Sequence, residues 1–131
     1  MLTRHELRKE GLMILFRVDF YGEEFNMSEL DEYKGEGRES VLFANLYLEN
    51  EGEVDLTITE NLVNYTIKRL NIVDRSILRL ATSELMYSDT PVNIIINEAL
   101  KLTDELSDLG DKKQVRFNNS VLDKIAKTVR K

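Results

Sequence analysis

The fold is decided by residues 71–106, NIVDRSILRLATSELMYSDTPVNIIINEALKLTDEL, in which two amphipathic helices follow each other. Asn71 can cap the first helix, and apolar residues then recur at intervals of three and four to about Tyr87. A second apolar stripe follows Pro91, which suits a first helical turn because no N–H donor is needed there, and Thr90 is the expected cap. Two helices joined by a short link predict a helical bundle.

The rest of the chain also favours helices. A first helix is predicted from Thr3, with Glu6 completing a capping box, to a stop at Gly22. Gly52 and Gly110 are expected to end two later helices. The further helices are expected at about residues 28–33, 39–48, 57–70 and 114–131.

Length and composition point to one all-α domain. The chain has 131 residues, which fits a single domain over residues 1–131, and it has only one Pro and six Gly to interrupt helices. Residues 54–59, VDLTIT, also alternate like a strand. We interpret them as helical because one short strand would have no pairing partner.

Several classes of function lack their required residues. The chain has no Cys and a single His, which argues against disulfides, thiolate chemistry and a histidine metal site. No nucleotide-binding or hydrolase motif is present, so we predict no catalytic residue, no metal and no cofactor. No apolar run approaches the roughly 20 residues that span a membrane. The sequence therefore predicts a soluble cytoplasmic protein that binds other molecules.

Charge is distributed unevenly along the chain. The net charge is -6, but residues 112–131 contain seven Lys or Arg and one Asp, while residues 21–60 contain two Lys or Arg and twelve Asp or Glu. The first twenty residues are slightly basic. An acidic protein with a strongly basic end can still bind nucleic acid through that end.

Three short motifs follow one another in a fixed order. They are ILRLA at 77–81 with Glu84-Leu85, INEA at 96–99 after Pro91, and FNNSVLD at 117–123. With the basic start of the chain, they resemble the NusB family of bacterial transcription antitermination factors. The resemblance covers nearly the whole length and is weakest over residues 23–56.

The resemblance implies an all-α fold of two packed three-helix bundles. It also implies binding of boxA-type single-stranded RNA from ribosomal RNA leaders together with NusE, a small-subunit ribosomal protein. The pair would act on the elongating RNA polymerase through other Nus factors. No membrane is expected as a partner, and the protein would be a monomer or a homodimer. The chain departs from the family pattern at Asp104, Ser120 and Phe16, where Lys, Gly and Tyr are usual, and the loss of positive charge lowers the RNA affinity that we expect.

The candidate RNA-binding residues lie at the two basic ends of the chain. Cations there would contact phosphates, Phe117 would stack on an unpaired base, and asparagines would bind base edges. The alternatives are a solvated helix face for the cations, a core position for Phe117 and helix capping for the asparagines. The candidates are Arg4, His5, Arg8, Lys9, Lys112, Lys113, Arg116, Phe117, Asn118 and Asn119.

The candidate protein-partner residues are Phe16, Asp74 and Arg75, which the resemblance places towards NusE. For the two charged residues the alternative is ion pairing within the fold. Two other functions remain open. The chain could be a protein-binding scaffold with little RNA affinity. It could also be the NusB-like N-terminal domain of a ribosomal RNA cytosine methyltransferase, which would need a catalytic Cys and a methyl-donor domain.

Overall fold

The computed structural model describes residues 2–22 and 38–130. Within these ranges the chain forms α-helices and no strand, which confirms the all-α fold class. The elements are α1 (Arg4–Tyr21), α2 (Arg38–Leu48), α3 (Glu51–Glu60), a one-turn 3-10 helix (Ile67–Arg69), α4 (Ile72–Tyr87), α5 (Val92–Leu106) and α6 (Lys113–Val129). The helix expected at residues 28–33 lies outside the described residues.

Helix α4 is the centre of the packing. It contacts each of the other five described helices, while α1 packs on α2, and α5 packs on α6. This arrangement is consistent with two three-helix bundles. The predicted inner stripe of α4, Ile77, Leu78, Ala81 and Leu85, is buried in the core.

None of the described helices is long and apolar enough to cross a membrane.

The first helix begins as the sequence predicts. The Thr3 hydroxyl accepts a hydrogen bond from the Glu6 amide at 3.1 Å, and the Glu6 carboxylate accepts one from the Thr3 amide at 3.3 Å. This capping box satisfies amide groups that a helix start leaves without partners. Gly22 ends the helix at φ +56°, a left-handed conformation that other residues adopt with strain.

The third helix differs from the prediction. We expected a helix over residues 57–70 with a break at Gly52, but α3 spans Glu51–Glu60 and contains Gly52 in its first turn. The reason is packing: Val54 and Ile58, four residues apart, are both fully buried and hold this segment in the helical register. The chain then leaves the helix, so residues 61–66 are free to form part of the surface.

The boundaries of α5 also shift. Pro91 occupies the cap position and Thr90 makes no capping bond to the helix, so α5 begins at Val92 rather than at Pro91. At the other end α5 stops at Leu106, and Gly110 lies in the following loop at φ +98°. This loop brings the basic start of α6 beside the end of α5.

Candidate nucleic-acid interface

The basic start of α1 lies against acidic side chains of α5. The Nδ1 atom of His5 lies 2.5 Å from a Glu98 oxygen, and its Nε2 atom lies 2.7 Å from a Glu105 oxygen. Lys9 reaches the other oxygen of Glu105 at 3.2 Å, and Lys101 pairs with Glu98. Two of the predicted phosphate-binding residues are therefore already paired within the protein.

The two carboxylates favour the charged form of His5. A neutral imidazole has one N–H donor, whereas both ring nitrogens of His5 face a carboxylate oxygen. Burial alone would lower the pKa of His5, but the hydrogen bonds to Glu98 and Glu105 raise it above its ordinary value. Burial would raise the pKa of Glu98, but the contacts with His5 and Lys101 lower it. The contacts with His5 and Lys9 lower the pKa of Glu105 against the opposing effect of burial.

Arg8 does not lie on the surface where the sequence analysis placed it. Its side chain is buried, at 4% exposure for the residue, and its guanidinium donates two hydrogen bonds of 2.9 Å to Glu84 on α4. The Arg8 guanidinium also lies over the Phe43 ring, with its central carbon 4.9 Å from the ring centroid. A group enclosed in this way is not open to a phosphate, so the geometry does not support the RNA role predicted for Arg8. Arg4, an exposed neighbour, lies over the same ring at 5.1 Å.

The start of α6 is crowded with carboxylates. Lys112 takes a left-handed conformation, φ 63°, and its ammonium pairs with Asp104 of α5. Asp108 accepts hydrogen bonds from the amides of Gly110 and Lys112, at 2.9 and 3.2 Å. Burial would raise the pKa of Asp108, but these amide bonds lower it. Together with the bond from the Lys113 amide to Asp111, these contacts occupy amide groups near the helix start that would otherwise attract an anion.

A groove lies between the start of α6 and the segment before α4. Its volume is about 440 Å³, and it contains the aromatic rings of Tyr65 and Phe117. Its other lining residues are Arg69, Leu70, Asn71, Asp74, Lys113 and Gln114. The two rings meet edge to face, with centroids 5.5 Å apart, and Phe117 also packs against the core. Phe117 is therefore a boundary residue, with part of its ring in the core and part in the groove.

Exposed cations lie in and next to this groove, since Arg69 and Lys113 line it and Arg116 directly precedes Phe117 in the chain. Arg69, Lys113 and Arg116 are exposed, and they make no ion pair with any residue in the described ranges 2–22 and 38–130. They differ in this respect from His5, Lys9 and Lys112. Aromatic rings beside free cations are the combination that single-stranded nucleic acids bind, because bases stack on the rings and phosphates pair with the cations.

The two asparagines of the α6 motif have different surroundings. Asn118 is fully buried, and its amide nitrogen donates to Asp74 at 3.2 Å and to Thr103 at 3.0 Å. The geometry does not support the base contact predicted for Asn118, because the residue is enclosed and its donor group is used inside the protein. Asn119 is exposed and stays a candidate for base contacts.

The charged partner candidates are also internal. Asp74 is buried and accepts hydrogen bonds from Asn71, Ser107 and Asn118. Arg75 donates to Asp19 at 2.7 Å and to the carbonyl oxygen of Leu70 at 3.2 Å. These contacts hold α4 to its neighbours, so the partner role predicted for Asp74 and Arg75 has no exposed group to support it.

Phe16 is the partner candidate that remains at the surface. It lines an apolar cavity of about 210 Å³ with Leu12, Met13, Val73, Ser76 and Leu106. Its ring stacks on the exposed ring of Phe20, with centroids 5.8 Å apart. A partly open apolar face of this kind is suited to contact with another protein.

Sequence reasoning missed the residues that complete the groove. Tyr65 and Arg69 were expected inside a helix over residues 57–70, whereas both lie at the surface beside α6. No local signal marked these two residues, because the prediction assigned residues 57–70 to one amphipathic helix. Within the described parts of the chain no cluster of His, Asp and Glu could hold a metal ion.

Comparison with known proteins decides the family. The family model described as the NusB family matches residues 5–127. The chain belongs to the NusB family. The transcription antitermination protein NusB of Bacillus licheniformis is 37% identical over 129 residues, covering 95% of this chain and 96% of that protein. The motifs that suggested the family thus lie within a similarity of nearly full length.

Solved structures of NusB proteins share the fold. NusB of T. maritima superposes with a TM-score of 0.83 at 29% identity, covering 96% of this chain and 92% of that one. A structure of the antitermination factors NusB and NusE in complex with double-stranded RNA matches with a TM-score of 0.77 at 25% identity, covering 97% of this chain and 99% of that one. The arrangement of α1–α6 is therefore that of NusB proteins.

Proposed function

We propose that this protein is a transcription antitermination factor that binds boxA-type single-stranded RNA together with NusE. As one domain over residues 1–131, it would join the elongating RNA polymerase through other Nus factors in the cytoplasm. Membership of the NusB family supports this role, as does the similarity to a NusB that was solved with NusE and RNA. No chemical step is part of the proposal, because the protein acts by assembling other molecules.

The groove between Tyr65 and Phe117 is the observation that supports RNA binding. Its rings offer surfaces on which unpaired bases can stack. The exposed side chains of Arg69, Lys113 and Arg116 would pair with phosphates. Sequence preference would come from exposed polar groups of α6, such as Asn119. At the start of α1 the exposed Arg4 would extend the path of the RNA backbone, and His5 and Lys9 would do so once released from Glu98 and Glu105.

Titration of the protein with RNA tests this function. The protein, alone and with NusE, is titrated with a labelled boxA RNA and with a scrambled RNA of the same composition. We expect tighter binding of boxA, and affinity that falls steeply as salt rises because bound phosphates release counterions. Equal binding of the two RNAs, both with and without NusE, would refute the RNA half of the proposal.

The apolar face around Phe16 supports the NusE half of the proposal. We expect Phe16→Asp to weaken NusE binding because a carboxylate would enter an apolar contact, while RNA binding by the isolated protein stays unchanged. The variant Val63→Asp is a suitable control, since Val63 is an exposed apolar residue that does not line this cavity. Calorimetry gives both affinities, and sedimentation of the free protein decides between monomer and homodimer.

A protein-binding scaffold with little RNA affinity is the second candidate function. It is favoured by the internal ion pairs of His5, Lys9 and Lys112, which reduce the positive charge available to RNA. NusE binding of ordinary strength combined with no measurable boxA binding would select this alternative.

A further inference from the structure

We propose that acidic side chains of α5 compete with RNA phosphates for the cations beside them, and that Glu105 and Asp104 thereby set the RNA affinity of this protein. This inference rests on the proposed RNA-binding function and concerns the regulation of the same surface. It assigns a role to α5 that is separate from its packing in the core.

The geometry places one acidic helix between two basic helix starts. Glu105 is shared between His5, at 2.7 Å, and Lys9, at 3.2 Å, both on α1. On the next part of the α5 surface, Asp104 pairs with Lys112 at the start of α6. The acceptors are accessible to solvent, since their side chains are 40% exposed for Glu105 and 52% for Asp104.

The competition follows from the exposure of these pairs. An ion pair at the surface is worth little, so a phosphate can replace the carboxylate as the partner of Lys9 or Lys112. The carboxylate that is left over then attracts a cation from solution. Fewer ions are released in total than when a free lysine binds a phosphate, so affinity is lower and depends less on salt.

The competing carboxylates are distinct from those that stabilise the fold. Glu84 is buried and holds Arg8, so its removal would damage the core. Glu105 and Asp104 face the solvent and can be changed without disturbing α5. Their variants Glu105→Gln and Asp104→Asn remove one negative charge each and keep the size of the side chain.

A matched control separates local competition from the change in net charge. Asp123 on α6 pairs with Lys127 at 3.0 Å, and both side chains are exposed. Asp123→Asn also removes one negative charge and also releases one lysine from an exposed pair. It differs from the two test variants because the released lysine, Lys127, lies in the last turn of α6 and does not line the groove.

The experiment measures boxA RNA binding at several salt concentrations for the wild type and the three variants, with circular dichroism to verify folding. We expect Glu105→Gln and Asp104→Asn each to bind about threefold or more tightly, as one exposed ion pair allows. The slope of log affinity against log salt should steepen by up to about one unit for each cation released. Asp123→Asn should resemble the wild type in slope.

The outcomes distinguish this inference from the proposed function. If the wild type binds boxA and both test variants match Asp123→Asn in affinity and slope, the competition is refuted and the RNA-binding function stands. If no protein in the series binds RNA, both proposals fail. If the test variants bind while the wild type does not, α5 suppresses RNA binding and the inference holds in its strongest form.

Discussion

The ring of Phe117 meets the ring of Tyr65 edge to face, with centroids 5.5 Å apart and planes inclined by 70°. This pair joins α6 to the segment before α4 at the rim of the groove. The sequence left two alternatives for Phe117, a core position or a base-stacking position. The structure gives it a place between the two, since it packs on the core and lines the groove.

Removal of either ring should weaken RNA binding. We expect Tyr65→Ala to reduce boxA affinity by about 1–3 kcal/mol, the contribution of one stacked base. Tyr21→Ala is a matched control, because Tyr21 is 51% exposed against 52% for Tyr65 and also meets a phenylalanine edge to face. RNA titration should show no effect of the control. A Tyr65 variant that binds as tightly as the control would remove the groove from the RNA site.

Adjacent basic residues on α1 should differ sharply in their effect on stability. Arg8→Ala leaves the buried Glu84 carboxylate without its partner and should lower the free energy of unfolding by about 3–5 kcal/mol. Lys9→Ala breaks only an exposed pair and should cost less than about 1 kcal/mol. Urea unfolding measures both. Comparable losses in the two variants would contradict the burial of Arg8.

Stability should depend on pH through His5. Its pKa is raised in the folded state, so its contribution is fully present below the unfolded value of about 6.5 and is lost as pH rises through the folded pKa. The groups that face it are Glu98 and Glu105, which also pair with Lys101 and Lys9. The stability difference between the wild type and His5→Gln should therefore shrink from pH 6 to pH 9.

The same histidine gives a direct measurement. The chain contains one His, so its imidazole signals in a proton NMR titration need no assignment. Glu105→Gln should bring the pKa of His5 down towards its ordinary value. If the His5 imidazole titrates identically in the variant and the wild type, the Glu105 contact does not raise the pKa of His5.

Neighbouring asparagines on α6 provide a third contrast. Asn118→Asp would place a carboxylate beside the buried carboxylate of Asp74, and we expect a loss of about 3 kcal/mol or more. Asn119→Asp changes an exposed residue and should alter stability by less than about 0.5 kcal/mol. Its added negative charge should still weaken RNA binding. Thermal unfolding and RNA titration together separate the two positions.

The sequence was a good guide where periodicity and capping act over short distances. The start of α1 at Thr3 and the core stripe of α4 follow from local patterns, and both are confirmed. The burial of Arg8 was visible in the same pattern, because Arg8 precedes Leu12 and Leu15 by four and seven residues and so lies on their buried face. Its charge led us to place it on the surface instead.

Other features depend on contacts that one sequence does not reveal. His5 and Glu98 are 93 positions apart, and nothing local indicates that they meet. The groove forms because Tyr65 lies outside a helix. Tyr65 lies there because the burial of Val54 and Ile58 fixes the position of α3, which ends at Glu60. Tertiary packing therefore determined the parts of the site that periodicity misplaced.

Because α4 contacts every other described helix, neither group of helices has a complete core without it. Loss of α4 would expose the apolar faces of α1 and α2 as well as those of α5 and α6. The two halves should thus unfold in a single cooperative transition, and the slowest-exchanging amides of both should report the same global opening free energy. The groove between α6 and the segment before α4 then keeps its geometry until the whole molecule unfolds.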